Sequence, residues 1–267
     1  VEFLVVHPSG EVNIPIRNFI IVEPYAHLTV LEIVRGERGD PFSQFSLTQV
    51  WVREGGELTY IVLLDAPGSY HIGETQFYLE GKSKLNAFSG LISAEFGRRD
   101  LKLYLRGEGA EGYLSGLMIA GGKEELDFHT RVEHGAPSCK SDQYFKSVLL
   151  DRSHGIFDGM IYVHPSAQKT DALQTNKNIL LSDQAMATAN PHLEIYADDV
   201  RCTHGATVGY LSQEEEFYLR TRGIFRDEAR RLLTYAFVGD LLERVELETL
   251  RADLEKKLFH RLVESGA

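Results

Sequence analysis

The sequence predicts a mainly β fold of the parallel β-helix or jelly-roll kind, closed by a small C-terminal helical domain. Three observations predict it. Up to about residue 208 the apolar residues alternate with polar ones at period two, as in residues 26–34, 57–61, 101–105 and 193–196. Glycines punctuate these runs at Gly55, Gly56, Gly107, Gly109, Gly112, Gly116, Gly121, Gly122, Gly155 and Gly159, and no stretch of ten or more residues there has helical periodicity. From residue 210 onward the pattern changes to helix. The boundaries that follow are residues 1–209 for the β core and 210–267 for the helical domain.

About 15 short strands in one domain must close their edges as a sandwich, barrel or solenoid. Rungs spaced by about ten residues or multiples of ten favour a β-helix, as do Ser83, Asn86, Thr130, Ser147, Thr175 and Asn178 within the strand runs. In a β-helix such side chains can stack inward as polar ladders. No clean repeat consensus is present, so the jelly roll stays open on periodicity alone.

Three helices follow. Ser212 and Glu215 form a capping box that starts the first, through Phe217, Tyr218 and Leu219, and Gly223 stops it. The second runs over residues 226–244, with Leu232, Leu233, Ala236, Phe237, Leu241 and Leu242 on one stripe. The third starts near Leu247 and carries Leu250, Leu254, Leu258, Phe259 and Leu262. These stripes exceed what a three-helix cap needs to close on itself, which predicts that one of them meets another chain.

The net charge is −11, of which the helical part from Leu211 holds 12 acids and 10 bases. This balance opposes a nucleic-acid partner. No apolar run is long enough for a membrane-spanning helix, and no signal peptide is visible. The chain opens Val-Glu-Phe-Leu-Val-Val, strand-like and without a methionine, which reads as a product lacking an N-terminal part. Cys139 and Cys202, 63 residues apart, make neither a zinc framework nor a CxxC motif, and reduced thiols in a cytosol-like compartment are expected.

Residues 193–209 hold the chemistry. In a strand, Cys202 and His204 share a face, a thiol beside an imidazole, which suits a transition metal or an iron–sulfur species. Two ligands do not complete a tetrahedral site, so two or more must come from elsewhere, and a second chain could supply them if the motif lies at an interface. The competing reading is a buried cysteine and a hydrogen-bonded histidine at a domain junction. Asp198 and Asp199 point to opposite faces in a strand and read as a turn rather than an acid–base pair. His129 and His134 likewise face opposite ways, which argues against a cupin-type metal site. Phosphate-binding loops, dinucleotide fingerprints, nucleophile elbows and His-Glu-x-x-His are all absent. The chain therefore reads as no enzyme acting alone.

Residues 171–185, 191–209 and 217–224 together resemble the SufB/SufD family of iron–sulfur cluster assembly proteins. The motifs that carry this are Ala-Asp-Asp-Val-x-Cys-x-His-Gly-Ala-Thr at 197–207 and Phe-Tyr-Leu-Arg-x-Arg-Gly at 217–223, and both are most like the SufD branch. Weaker similarity runs back to about residue 125. The resemblance implies a right-handed parallel β-helix core followed by a C-terminal helical domain, with the family's N-terminal helical region missing. It implies a non-catalytic scaffold subunit that pairs with SufB through the β-helix and binds the SufC ATPase through the helices. Tyr218, Arg220, Arg222 and Tyr235 are the candidate contacts on the SufC side. It implies that ATP hydrolysis belongs to SufC, and that iron or a nascent cluster sits transiently at a subunit interface, with His204 and more weakly Cys202 as ligands. The expected location is cytoplasmic, or the plastid stroma for a plant protein. Two rivals are a homodimer that acts only as a structural binding module and a carbohydrate-active β-helix enzyme. The acidic surface disfavours the second.

Overall fold

The computed structural model describes residues 12–37, 39 and 42–264. The strand-like opening of the chain lies outside the described residues. The described strands are β1 (Asn13–Val22), β2 (His27–Arg35), β3 (Ser43–Val52), β4 (Glu57–Asp65), β5 (Tyr70–Leu79), β6 (Lys84–Ser93) and β7 (Phe96–Leu105). They continue as β8 (Glu111–Ala120), β9 (Glu125–His134), β10 (Lys140–Leu149), β11 (His154–Val163), β12 (Thr170–Leu180), β13 (Met186–Ile195) and β14 (Val200–Tyr210).

All pairings are parallel, and strands pair with their second neighbours in sequence. The odd strands form one seven-stranded sheet and the even strands another. This is a parallel β-solenoid in which each coil gives one strand to each sheet, and the jelly roll is excluded. Coil-to-coil offsets run from 26 residues (Tyr70 to Phe96) to 32 (His154 to Met186). The ten-residue spacing read from the sequence is the length of a strand, not of a coil.

Period two places alternate side chains in the lumen between the sheets. There Val50, Phe77, Leu103, Leu114, Phe128, Phe145 and Phe157 fill the core. Of the polar residues expected inside, Thr130, Ser147 and Asn178 are buried. Asn86 instead faces outward and donates to Glu246, Thr175 is half-buried on the outward face of its strand, and Ser83, though buried, sits in a turn on the Glu80 carbonyl.

Turns from odd to even strands stack through backbone hydrogen bonds, such as Gly55 N to Gly81 O and Lys82 N to Glu108 O. Six of the seven hold one residue in the left-handed region, namely Tyr25, Gly55, Lys82, Gly109, Ser138 and Lys169. Gly107 shows how close the stack is, because a Cβ there would lie 2.0 Å from the Gly81 backbone nitrogen. Gly107→Ala is expected to cost roughly 2–3 kcal/mol through backbone displacement. The neighbouring Gly81→Ala, whose nearest contact would be 3.5 Å away, serves as control. Urea midpoints of the two variants check this, and equal midpoints would overturn it.

The helices are α1 (Gln213–Thr221), α2 (Arg226–Leu242) and α3 (Glu248–Glu264). Ser212 caps α1 by accepting the Glu215 backbone N–H at 3.2 Å, and Gly223 (φ +87°) ends it, as the sequence predicts. The expected self-closing cap is not what forms. Helices α2 and α3 lie along the outer face of the even sheet. There Val238, Leu241, Leu242, Leu250, Leu254, Leu258 and Leu262 bury against Ile61, Leu63, Phe88, Leu117, Ile119 and Val148. The spare apolar stripe thus meets this chain's own sheet rather than another chain. The α2 stripe is also rotated from the predicted one, since Leu232 and Ala236 are exposed while Ala229 and Thr234 are buried. Ion pairs Lys257–Asp65, Arg261–Glu124 and Lys146–Asp240 fasten the helices to the sheet and its turns.

Candidate metal-ligating end of the solenoid

Among the described residues, strand β14 ends the even sheet and pairs only with β12, which leaves its second edge free. Asp198 and Asp199 sit in the bend before it, as a turn rather than an acid–base pair. Along β14, Val200, Cys202, His204, Ala206 and Val208 are in register with Thr170, Ala172, Gln174, Asn176 and Asn178 of β12. Those β12 residues are all buried, so the matching β14 positions face the lumen's open end.

Cys202 packs half-buried against the lumen core. Burial, then the negative charge of Asp171, pushes its thiol pKa up, so it is a neutral thiol in the absence of metal. His204 is exposed, and no hydrogen bond or ion pair of its side chain is found among the described residues. The structure therefore brings Cys202 and His204 together on one face, at an uncovered edge. Exposed apolar side chains share this end of the molecule: Met186, Ile195, Tyr196, Val208 and Tyr210. Among the described residues, no three His, Cys, Asp or Glu side chains group closely enough to hold a metal by themselves. Both cysteines are free thiols.

The other histidine pair is separated as expected. His134 points into the lumen, where its Nε2 lies 2.8 Å from Ser141 Oγ, while His129 lies outside at 3.0 Å from Asp127. The helix candidates differ in availability. Helix α1 has no buried residue, and Phe217 and Tyr218 stand exposed, with the Arg222 guanidinium over the Tyr218 ring. Arg220 reaches Glu216 at 4.0 Å. Tyr235 is occupied between helices, stacked on Phe259 and donating to Glu255 at 3.1 Å.

Sequence reasoning missed the lumen amides. Gln143 and Gln174 are fully buried, and Asn176 nearly so. Gln143 Oε1 accepts the Thr130 hydroxyl at 2.5 Å, and Asn176 Oδ1 accepts from Asn178 at 2.6 Å. Gln143 Nε2, Asn176 Nδ2 and both amide atoms of Gln174 have no partner. The signal was available in the alternation Gln174, Asn176, Asn178, a polar set at positions where the other strands place apolar residues. A second interior polar group lies nearer the first coils. Arg99 is buried and donates to Thr75 at 2.8 Å, beside His71. A cleft of about 300 Å³ where the α2–α3 turn meets the even sheet is lined by Asn86, Tyr113, Asp142, Arg244 and Glu246. Its polar groups are largely satisfied by one another, with Arg244 on Asp142 at 2.9 Å and Glu246 on Asn86 at 3.2 Å.

Residues 6–237 match the family described as SUF system FeS cluster assembly, SufBD core domain. The iron–sulfur cluster assembly protein SufD of Escherichia coli is 34% identical over 212 residues, covering 79% of this chain and 50% of that protein. A SufBD family protein of Synechocystis is 28% identical over 270 residues, covering 98% of this chain and 60% of its own length. The chloroplastic protein ABCI7 of Arabidopsis thaliana is 27% identical over 245 residues, 90% of this chain and 52% of that protein. The chain thus spans about half the length of the curated relatives it matches. With its two-sheet parallel solenoid and its Cys-x-His strand at the open end, the chain belongs to the SufBD family of iron–sulfur cluster assembly proteins and is SufD-like.

Proposed function

We propose that this chain is the core of a SufD-like scaffold subunit that pairs with a SufB-type partner and engages the SufC ATPase. In this reading iron, or a nascent cluster, is cargo held at the subunit interface. His204 offers a neutral imidazole nitrogen to it, with Cys202 as a second donor once metal displaces the thiol proton. The partner completes the coordination shell.

The observation that carries the reading is the exposed His204 on a strand edge left unpaired among the described residues, at an end of the molecule that also exposes apolar side chains. A parallel edge strand with unpaired backbone groups is a template for another chain. The exposed α1 surface, with Phe217, Tyr218, Arg220 and Arg222, is the proposed contact for the ATPase. Tyr235 would support it from behind by holding α2 to α3. Hydrolysis of ATP is assigned to that partner, since this chain carries no phosphate-binding loop.

His204→Ala, tested in the assembled complex with its SufB and SufC homologues, is expected to reduce iron content and cluster yield at least tenfold without dissociating the subunits. Unchanged iron content and cluster yield would sink the ligand role. Loss of the complex itself would instead assign His204 a purely structural part.

A further inference from the structure

The lumen row that ends at His204 reads Leu114, Gln143, Gln174, His204 on β8, β10, β12 and β14. It is apolar at its inner end and open at its outer end, with two fully buried amides between. In-register neighbours on parallel strands lie about 4.8 Å apart. The Gln174 amide is therefore within side-chain reach of the His204 ring on one side and of Gln143 on the other.

Few other groups can serve the inward edge of that ring. On its own strand the same-face neighbours of His204 are Cys202 and Ala206. In the odd sheet, the strand position paired with Gly159 is Pro191, which has no side-chain donor or acceptor. Gly159 itself leaves the room that Gln174 uses, because a Cβ there would lie 2.3 Å from Gln174 Nε2. A fully buried glutamine with both amide atoms unpartnered is costly unless a partner is supplied.

We propose that Gln174 is the positioning residue of His204. Its Oε1 accepts the N–H of the inward ring nitrogen, and its Nε2 donates to Gln143 Oε1. That oxygen already takes the Thr130 hydroxyl and keeps a second lone pair free. The row then fixes one imidazole tautomer and leaves the other ring nitrogen unprotonated at the open end, the form a metal requires. Metal-ligating histidines are generally held in this way by an outer acceptor. The inference rests on the reading of His204 as a ligand, but its first test does not.

That test is the tautomer of His204 in the full-length protein, read from imidazole ¹⁵N chemical shifts and assigned by loss of the signal in His204→Ala. The parent protein is expected to show one tautomer. Gln174→Leu, close in volume, is expected to release the ring to a mixture of both, while Gln174→Glu, which keeps an acceptor, retains the single form. Asn176→Leu removes a buried amide on the same strand but off the row, and is expected to change nothing. The same tautomer in the parent and in a folded Gln174→Leu would overturn the proposal, as would a mixture in the parent. Anaerobic titration of ferrous iron alone into the assembled complex supplies the second reading. Gln174→Leu is expected to weaken binding 10–100-fold, with Gln174→Glu near the parent. If His204→Ala binds iron like the parent, the ligand reading fails while the tautomer result still decides the role of Gln174.

Discussion

Replacing Leu254 and Leu258 together with aspartate is expected to abolish cooperative folding of the C-terminal helices on the solenoid. Both side chains are 0% exposed and pack on the outer face of the even sheet, with Leu254 beside Gly90. Removing a fully buried leucine alone costs about 2–5 kcal/mol. An aspartate in its place also leaves a carboxylate without water or a partner, which costs several kcal/mol more. Two such changes are comparable to the whole of the roughly 5–15 kcal/mol by which a domain is ordinarily stable. Circular dichroism and urea unfolding would show lost helix and a lost or broadened transition. Val263→Asp on the same helix, at an exposed position, is the control. A double variant with parental stability that failed only to bind a partner would mean that the stripe is an interface and not a core.

Stability is expected to fall between pH 7 and pH 5 more steeply than surface carboxylates explain, because two lumen histidines resist protonation. Burial, reinforced by the Arg99 charge, lowers the pKa of His71 to about 3. Burial lowers that of His134 to about 4. The unfolded chain takes up a proton at each near pH 6.5, whereas the folded chain does not. The unfolded state therefore binds more protons below that pH, and stability is lost as pH falls. The slope is about 1.4 kcal/mol per pH unit per histidine, which by pH 5 amounts to about 2 kcal/mol each. Asp127 and Glu124 work against this. Burial raises both pKa values, that of Asp127 to about 6, so the folded state binds their protons more readily in the same window. His134→Gln separates the contributions, since it keeps a donor for Ser141 and removes one titration. Its urea midpoint is expected to change less from pH 7 to pH 5 than the parent's. Equal pH dependence in the two proteins would overturn the assignment.

Much of the local structure was legible because it is encoded by nearest neighbours. The alternation along β7 and β9 requires only the two-residue repeat of a strand. The same repeat correctly sent His129 and His134 to opposite faces. The Ser212 cap and the Gly223 stop are one-turn effects. The Cys202–His204 pair was visible for the same reason, as two positions on one strand face.

What the sequence concealed depends on partners about 30 or more residues away. Coil offsets vary from 26 to 32 residues, so no fixed repeat appears in the chain. The apolar surplus of α2 and α3 was correctly noticed, but its destination was not. Toward the C-terminal halves of even strands some outward residues, such as Leu63, Leu117 and Val148, are apolar like their inward neighbours, which is what a sheet covered on both faces requires. Gln174 drew no notice because a buried amide matters only when its row is known. The sequence alone determined strand and helix identity, the family, and the two side chains of the candidate site. Only the tertiary structure decided that β14 ends the even sheet among the described residues, that α2 and α3 lie on that sheet's outer face, and that the buried amides of Gln143 and Gln174 stand in register with His204. Periodicity specifies which way a side chain faces, whereas register across coils specifies what it faces.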